Sequence, residues 1–171
     1  MRNIGLFAGL FCWGLGGLTF GQEMVLDPGQ FQLEVAKGAE AKMELTNDGA
    51  NGAKTIAVTV SKPGPEFWSV ELRALGINFE NGKHYELTFR AKSSPGEFIY
   101  LVPEKTGGNQ GSVAAGTTLQ IPEDWTPCTV TFDINEAANP GRLTISSLSV
   151  NQSTFSFSDF KLTEKGLRSE R

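Results

Sequence analysis

Polar and apolar residues alternate along most of this chain, and short turn sequences separate the alternating runs. Side chains of a β-strand point to opposite faces in turn, so each run predicts a strand with one face on a core. Asn-Gly and Pro-Gly pairs between the runs are typical of tight turns. The predicted strands are FQLEVA (31–36), AKMELT (41–46), KTIAVTVSK (54–62), FWSVELRAL (67–75), KHYELTFRAK (83–92), EFIYLVP (97–103), TTLQI (117–121), CTVTFDI (128–134), RLTISSLSV (142–150) and FSFSDFKLT (155–163).

The same pattern argues against helices. No stretch keeps an apolar i, i+3, i+4, i+7 stripe over three helical turns. The one helix-like fragment, VELRALG (70–76), reads equally well as a strand that runs into a bend. About ten short strands without helices between them indicate antiparallel sheets packed face to face. We therefore predict an all-β fold, a two-sheet antiparallel β-sandwich of the jelly-roll kind.

The N-terminus has the features of a targeting segment. The first 21 residues, MRNIGLFAGLFCWGLGGLTFG, combine one basic residue with an apolar run from Ile4 to Leu18. This pattern is typical of a secretory signal peptide. A retained membrane anchor is the alternative, although the run is short and glycine-rich for a span of about 20 apolar residues. We expect a secreted protein, extracellular or periplasmic and free of the membrane after cleavage, with one domain over 22–163 and a polar tail over 164–171.

The charge and cysteine content of the mature chain narrow its partners. Without Arg2 the chain carries 14 basic and 19 acidic residues, a net charge of −5. Basic residues cluster only in the C-terminal tail, so a nucleic-acid partner is not expected. Cys128 is the one cysteine after residue 21, which excludes an internal disulfide in the mature chain. Its alternation with Val130 predicts a small buried side chain, and we expect a monomer.

Catalytic signatures are missing from the sequence. His84 is the single histidine, and no HExxH, GxSxG or CxxC motif is present. A nucleophile needs a base that is itself held in place, which one histidine beside a turn does not supply. Glycosidase carboxylates can come from distant strands, and the sequence singles out no such pair. We therefore predict that the protein is not an enzyme and needs no catalytic cofactor.

The stretch NGKHYELTFRAK (81–92) raises the question of what its charged face does. Apolar residues alternate there with Thr88, Arg90 and Lys92, so a strand would expose the charged set. If this strand and the one that holds Glu71 belong to one sheet, their charged side chains share its outer surface. A guanidinium can bind two vicinal sugar hydroxyls at once, which a solvated lysine does less well. A cross-strand ion pair on an exposed sheet is the competing interpretation.

Five segments follow one another in an order that is typical of one family. They are FWSVEL before LGI, GKHYELTFRAK, FIYLVP, EDWTPCTVTF and SDFKL. Their order resembles the carbohydrate-binding modules of families four and nine, the CenC-like modules, over about residues 31–163. The amino-terminal Asn-Gly-x-Phe-Glu element of that family has only a degraded counterpart here, DPGQFQ. The resemblance implies a galactose-binding-like jelly roll that binds polysaccharide chains in a groove across one sheet without cleaving them.

The resemblance also implies roles for particular residues. Trp68 and Glu71 stand at the W-x-x-E spacing that lines the groove in xylan- and glucan-binding members. A regular strand puts two such side chains on opposite faces, so both reach one groove only beside a bulge or a strand end. Core packing of Trp68 beside Val70 is the alternative. Family members often carry a structural calcium ion, for which Asp159 is the candidate ligand, with Ser158 where a second acid often stands.

Further groove candidates follow from the residues themselves. EFIYLV (97–102) is apolar on both faces, so one of its faces points away from the core. An outward Tyr100 would add a stacking surface for a sugar ring. The loop KTGGNQGS offers Asn109 and Gln110 as amide partners at the groove rim, and a flexible polar loop is the alternative there.

These observations predict a secreted, non-catalytic module that binds polysaccharide or oligosaccharide chains of the β-glucan or xylan type. Sugar rings present an apolar face and a rim of hydroxyls, so their sites combine aromatic rings with charged or amide side chains. A structural or adhesive cell-envelope β-sandwich that binds a protein partner is the alternative. It would bury Trp68, Phe98 and Tyr100 together.

Overall fold

Eleven β-strands form in the part of the chain that the computed structural model describes, residues 21–49, 52–107 and 111–167. The predicted signal peptide lies outside these residues except for Gly21. The strands are β1 (Glu23–Val25), β2 (Phe31–Val35), β3 (Glu40–Thr46), β4 (Thr55–Lys62), β5 (Val70–Phe79), β6 (Lys83–Ser94), β7 (Glu97–Lys105), β8 (Thr117–Ile121), β9 (Thr126–Asp133), β10 (Ala138–Ser146) and β11 (Ser153–Leu167).

The strands build two antiparallel sheets. The five-stranded sheet has the order β2-β5-β10-β7-β8. The six-stranded sheet has the order β3-β4-β11-β6-β9, and β1 pairs with the distal half of β11. Consecutive strands β5, β6 and β7 therefore alternate between the sheets. This alternation decides which of the predicted site residues can meet.

The inner faces of both sheets supply the core. Apolar residues at every second position are buried, for example Leu72 in β5 and Leu87 in β6, which are both 0% exposed. Aromatic rings fill the centre, where Phe160 lies 4.7 Å from Phe31 and 5.1 Å from Phe89 between ring centroids. The period-two pattern thus forms two layers with one shared apolar interior.

A bulge in β11 explains the SDFKL segment. The pairing of β11 with β6 shifts between Ser158 and Lys161, and Asp159 there has a positive φ of 58°. Aspartate tolerates this left-handed backbone better than most residues. The extra residue lets Phe157 and Phe160, three positions apart, both enter the core.

The all-β, two-sheet antiparallel sandwich predicted from the sequence is confirmed. The ten predicted strands all appear, and VELRALG is strand rather than helix. Some boundaries differ: residues 67–69 precede β5 instead of belonging to it, β10 covers Ala138–Ser146 rather than 142–150, and β11 continues four residues into the predicted tail. The short strand β1 is not among the predicted ones. The segment DPGQ forms a 3-10 turn (Pro28–Gln30) capped by Asp27, whose Oδ1 accepts a hydrogen bond from the Gly29 amide at 2.8 Å.

Candidate functional site

Polar side chains line the middle strand of the five-stranded sheet on its outer face. Leu143 and Ile145 of β10 point into the core, so the residues beside them point outward. These are Arg142, Thr144 and Ser146, and their exposures are only 6%, 1% and 2%. Side chains on the outer face of a sheet are usually more exposed to water, so longer neighbouring side chains must shield these three residues.

Longer side chains flank this row on both neighbouring strands. Thr144 pairs with Arg73 of β5 on one side and with Val102 of β7 on the other. Val102 is 4% exposed, yet it lies outside the core cluster, as expected for a residue that packs on the outer face. The result is a recessed surface, which we call the polar trough; it comprises Glu71, Arg73, Val102, Glu104, Arg142, Thr144 and Ser146.

Glu104 of β7 joins two residues of β10 in the polar trough. Its Oε2 accepts a hydrogen bond from Arg142 Nε at 2.9 Å and another from Thr144 Oγ1 at 2.5 Å. The Arg142 and Glu104 side chains are 8% and 19% exposed. A charge-assisted pair this sheltered is strong and directional, so it holds its polar atoms in fixed positions.

A second ion pair lies on β5. Glu71 Oε2 accepts hydrogen bonds from Arg73 Nη2 at 2.5 Å and from Arg73 Nε at 3.0 Å. Glu34 of β2 approaches the same guanidinium, with 3.6 Å between Oε1 and Nη1. Both arginines of the polar trough are therefore matched by carboxylates. Such paired groups keep spare donors and acceptors for ligand hydroxyls.

Two aromatic side chains of β7 extend the trough at one end. Phe98 and Tyr100 point outward because Ile99 and Leu101 are both fully buried. Phe98 is 54% exposed. Tyr100 packs against Gly116 so closely that a Cβ added to this glycine would overlap the Tyr100 hydroxyl. The absence of a side chain at position 116 therefore makes the room for the Tyr100 ring.

Two more aromatic side chains stand just before β5. Phe67 and Trp68 lie in a turn closed by the Ser69 amide, which donates to the Glu66 carbonyl at 2.9 Å. The Ser147 amide donates to the Phe67 carbonyl at 2.9 Å, which ties this turn to the end of β10. The two rings are 52% and 49% exposed and nearly perpendicular, 4.9 Å apart at 86°. Phe67, Trp68, Phe98 and Tyr100 together are called the aromatic end.

Three predicted site residues lie on or beside the five-stranded sheet. Glu71 and Tyr100 lie on its outer face, and Trp68 lies just before the start of β5. The opposite-face problem of the W-x-x-E spacing disappears because β5 begins at Val70, so a strand end separates Trp68 from Glu71. Core packing of Trp68 is excluded by its 49% exposure.

The expectation that Arg90 and Lys92 share a surface with Glu71 is wrong. Their strand, β6, belongs to the six-stranded sheet, whereas β5 belongs to the other one. Both side chains point outward, on the opposite side of the sandwich from Tyr100. A cross-strand ion pair is not what they form either, because neither has a carboxylate within 4.0 Å among the described residues.

The remaining predicted residues lie elsewhere. Asn109 and Gln110 fall outside the described residues, so their role stays a prediction. Asp159 occupies the β11 bulge and accepts a hydrogen bond from Ser158 Oγ at 3.2 Å. The described residues contain no group of three or more Asp, Glu, His or Cys side chains that could hold a metal ion. The side chains present do not fit a carboxylate-rich calcium site, and calcium binding remains only a prediction.

Sequence reasoning missed most of the polar trough. The predicted strand RLTISSLSV contains Arg142, Thr144 and Ser146, but nothing in that segment marks them as site residues. Glu104 is one of many acidic residues, and the sequence does not single it out. A signal exists, since Leu143 and Ile145 alternate with three polar residues. Their partners on β5 and β7 are set by long-range pairing, which alternation does not encode.

Comparisons with known proteins give the family. The sequence matches the carbohydrate-binding domain of families 4 and 9 over residues 31–152. The chain belongs to this carbohydrate-binding domain family. The resemblance seen in the sequence is thereby confirmed. A comparison with curated proteins finds no match, and no helix in the described residues is long and apolar enough to cross a membrane.

Solved structures share the fold of this carbohydrate-binding domain. A family 4 module is similar with a TM-score of 0.67 and 19% identity, over 86% of this chain and 97% of that one. The N-terminal cellulose-binding domain of Cellulomonas fimi β-1,4-glucanase C gives 0.60 and 17%, over 85% and 93%. A family 11 carbohydrate-binding module from Clostridium thermocellum, in complex with a β-1,3-1,4-mixed-linked tetrasaccharide, gives 0.57 and 12%, over 84% and 95%.

Proposed function

We propose that this carbohydrate-binding domain is a secreted, non-catalytic module that binds a β-glucan or xylan chain in the polar trough. The observation that carries the proposal is the combination of recessed, ion-paired polar side chains with exposed rings on one face of one sheet. Arg142 and Thr144 are nearly buried while Phe98 and Trp68 are half exposed.

The chemistry of a sugar chain matches this arrangement. Each ring has an apolar C–H face, which stacks on an aromatic ring, and a rim of hydroxyls, which needs fixed donors and acceptors. Tyr100 and Trp68 would supply stacking surfaces. Glu71 and Glu104 would accept hydrogen bonds from hydroxyls, and the guanidiniums of Arg73 and Arg142 would donate to hydroxyl oxygens.

The geometry of the aromatic end favours a single chain over a crystalline surface. A flat polysaccharide surface needs coplanar rings, but Phe67 and Trp68 are perpendicular at 86°. One of the two rings can stack on a sugar while the other forms a side wall. The mixed-linked tetrasaccharide of the family 11 module, which shares the fold, supports a soluble β-glucan as the ligand.

Exposure of the rings also bears on the alternative function. An adhesive or structural β-sandwich is expected to bury Trp68, Phe98 and Tyr100 together. Trp68 and Phe98 are instead 49% and 54% exposed, so the glycan-binding function is preferred.

Affinity gel electrophoresis tests the proposal. Gels that contain mixed-linkage β-glucan, hydroxyethylcellulose or neutral arabinoxylan should retard the protein relative to gels without polymer. Tyr100→Ala should weaken retardation about tenfold, because a lost stacking contact costs about 1–1.5 kcal/mol. Leu45→Ala, which trims an exposed side chain of β3 on the other sheet, should bind like wild type. Absence of retardation by every neutral polymer would overturn the proposal.

Two finer parts of the proposal have their own tests. If the protein is non-catalytic, prolonged incubation with the retarding polymer should release no reducing sugar. If residues 1–21 act as a signal peptide, the protein exported from a secreting host should begin at Gln22 by N-terminal sequencing. Release of reducing ends, or an intact Met1 on exported protein, would contradict the respective part.

A further inference from the structure

Two basic residues of the six-stranded sheet differ from all other basic residues in the described strands. Those strands contain ten lysines and arginines. Eight have a carboxylate oxygen within 4.0 Å. The two without one, Arg90 and Lys92, stand side by side on the outer face of β6. Two neighbouring cations without a contacting counter-charge form a local positive centre on a chain of net charge −4.

One acidic residue, Asp48, interacts electrostatically with this positive centre without contacting it. A hydrogen bond from the Thr46 hydroxyl and, to a smaller extent, the charge of Lys92 hold the pKa of the Asp48 carboxyl below its usual value. Asp48 makes no ion pair with Lys92 within 4.0 Å. The ammonium therefore keeps its own hydrogen-bond donors for a ligand.

Part of the Arg90 guanidinium is enclosed without a partner. Among the described residues, its Nε is the one buried side-chain nitrogen or oxygen that has no hydrogen bond. Unsatisfied buried donors are rare and unfavourable, so each needs a physical explanation. A ligand carboxylate beside the exposed part of this side chain would compensate the charge that the protein leaves unmatched.

Small hydroxyl side chains form a floor beside the two cations. Ser158 of β11 pairs with Arg90, and Ser156 pairs with Lys92. The serines are 2% and 5% exposed, so they are recessed below the basic side chains. On the next strand, Thr55 and Ala57 of β4 pair with Ser158 and Ser156, and Thr55 is fully buried. The floor is two strands wide, about 10 Å at the usual strand spacing, which suits one sugar chain.

An aromatic ring borders the floor on the far side of β6. The Lys92 ammonium lies 5.1 Å from the centroid of the Trp125 ring, a cation–π distance. Trp125 immediately precedes β9 and is only partly buried. The contact holds the ammonium in place without neutralising it, which leaves a fixed positive charge beside a ring.

We propose that this surface is a second carbohydrate site, which takes a carboxylate-bearing, uronic-acid polysaccharide. We call it the basic strip; it comprises Arg90, Lys92, Trp125, Ser156 and Ser158. Charge complementarity selects the occupant, since the unmatched cations call for anions while hydroxyls and an aromatic edge suit sugar rings. The polar trough differs, because carboxylates of the protein already match both of its arginines. The two faces of the sandwich would therefore hold neutral and acidic chains respectively.

Gels that contain polygalacturonate test the basic strip with the full mature chain. Polygalacturonate should retard wild type, and Arg90→Met and Lys92→Met should each weaken that retardation about tenfold or more, the loss expected for one hydrogen bond to a charged group. Lys62→Met is the matched control, because it removes one exposed positive charge from the same sheet and should leave retardation unchanged. Circular dichroism melting checks that each variant is folded. If Arg90→Met does not fold, the retardation of Lys92→Met alone tests the proposal.

The same gels separate this proposal from the function of the polar trough. Tyr100→Ala should keep full retardation by polygalacturonate while it loses retardation by β-glucan. The proposal is overturned if polygalacturonate does not retard wild type, if Lys62→Met loses as much as Lys92→Met, or if Tyr100→Ala abolishes binding to both polymers. If wild type is retarded by polygalacturonate but not by β-glucan, that result counts against the function of the polar trough and not against the basic strip.

Discussion

The two outer faces of this sandwich show how similar charge patterns lead to different surfaces. On the five-stranded sheet, Arg73 and Arg142 each contact a carboxylate at 3.0 Å or less. On the six-stranded sheet, Arg90 and Lys92 face serines and have no carboxylate within 4.0 Å among the described residues. The sequence around each of these four basic residues shows the same alternation of apolar and polar residues. Arg142 is matched by Glu104 of a neighbouring strand, and Arg73 is matched mainly by Glu71 of its own strand. The carboxylates placed around a charge, rather than the alternation, therefore decide whether it is matched or left for a ligand.

This difference also separates structural from binding roles. A sheltered pair such as Arg142 with Glu104 costs stability when one partner is lost, because a charge remains behind in a poorly solvated place. An unmatched cation contributes little to stability and is free to bind. Substitutions of the same chemical kind on the two faces should therefore have unequal effects.

The largest contrast is expected between two glutamates. Glu104→Gln should lower the free energy of unfolding by about 2 kcal/mol, because the nearly buried Arg142 loses the charge of Glu104. Glu44→Gln on the other sheet breaks a pair with Lys42 whose side chains are 56% and 62% exposed, so the loss should stay below about 0.5 kcal/mol. Urea denaturation followed by fluorescence measures both. Equal losses would mean that the polar trough is no better sheltered than the opposite face.

A second contrast concerns the room beneath Tyr100. Gly116→Ala should push the ring out of place, since the new Cβ would overlap the Tyr100 hydroxyl. We expect β-glucan affinity to fall about fivefold, roughly 1 kcal/mol, because the ring can move aside without unfolding the sheet. Calorimetric titration with a soluble β-glucan oligosaccharide measures this. Gly82→Ala, in open space at a turn with φ of 77°, should reduce stability and leave affinity unchanged. Unchanged affinity in Gly116→Ala would show that the ring position is unimportant.

A smaller effect of opposite sign is expected on the six-stranded sheet. Arg90→Met removes a buried donor that has no partner, so the free energy of unfolding should rise by about 0.5 kcal/mol. Arg142→Met, the matched change on the five-stranded sheet, should lower it. The same urea titrations apply. A clear loss of stability in Arg90→Met would mean that the guanidinium has a structural role.

The smallest effect concerns the inner side of edge strand β9. Burial raises the pKa of the Cys128 thiol, so the folded state keeps the proton to higher pH than the unfolded state does. The contribution of the protonated thiol to the free energy of unfolding is fully present below the thiol pKa of the unfolded state, about 8.5. This contribution falls as the pH rises above that value. Cys128→Ala should therefore lose slightly less stability than wild type between about pH 8 and pH 10. Parallel curves for the two proteins would contradict the predicted burial effect.

The sequence is sufficient for the fold because period-two alternation is a local property. It predicts each of the ten longer strands and the outward direction of Arg90, Lys92 and Glu71. It also marks Glu71 and Tyr100, which lie on the outer face of the five-stranded sheet, and Trp68, which lies just before β5 of that sheet. The short strand β1 is not predicted because its three residues, EMV, are too few to show an alternation.

The site is predicted only in part because sheet membership is a long-range property. β6 follows β5 in the chain but pairs with β11 and β9, whereas β5 pairs with β2 and β10. Alternation alone therefore places Arg90 beside Glu71, although the core separates them. The ion pair of Glu104 with Arg142 is not predicted for the same reason, since the two partners are 38 positions apart in the chain.

An amide-resolved NMR titration with a neutral hexasaccharide, cellohexaose or xylohexaose, tests the central claim most directly. If the polar trough binds the chain, shift changes should concentrate on β5, β7 and β10, around Glu71, Tyr100 and Thr144. Amides of β6 and β11 should stay unchanged. Shift changes centred on Arg90 and Ser156, with none around Tyr100, would contradict the account.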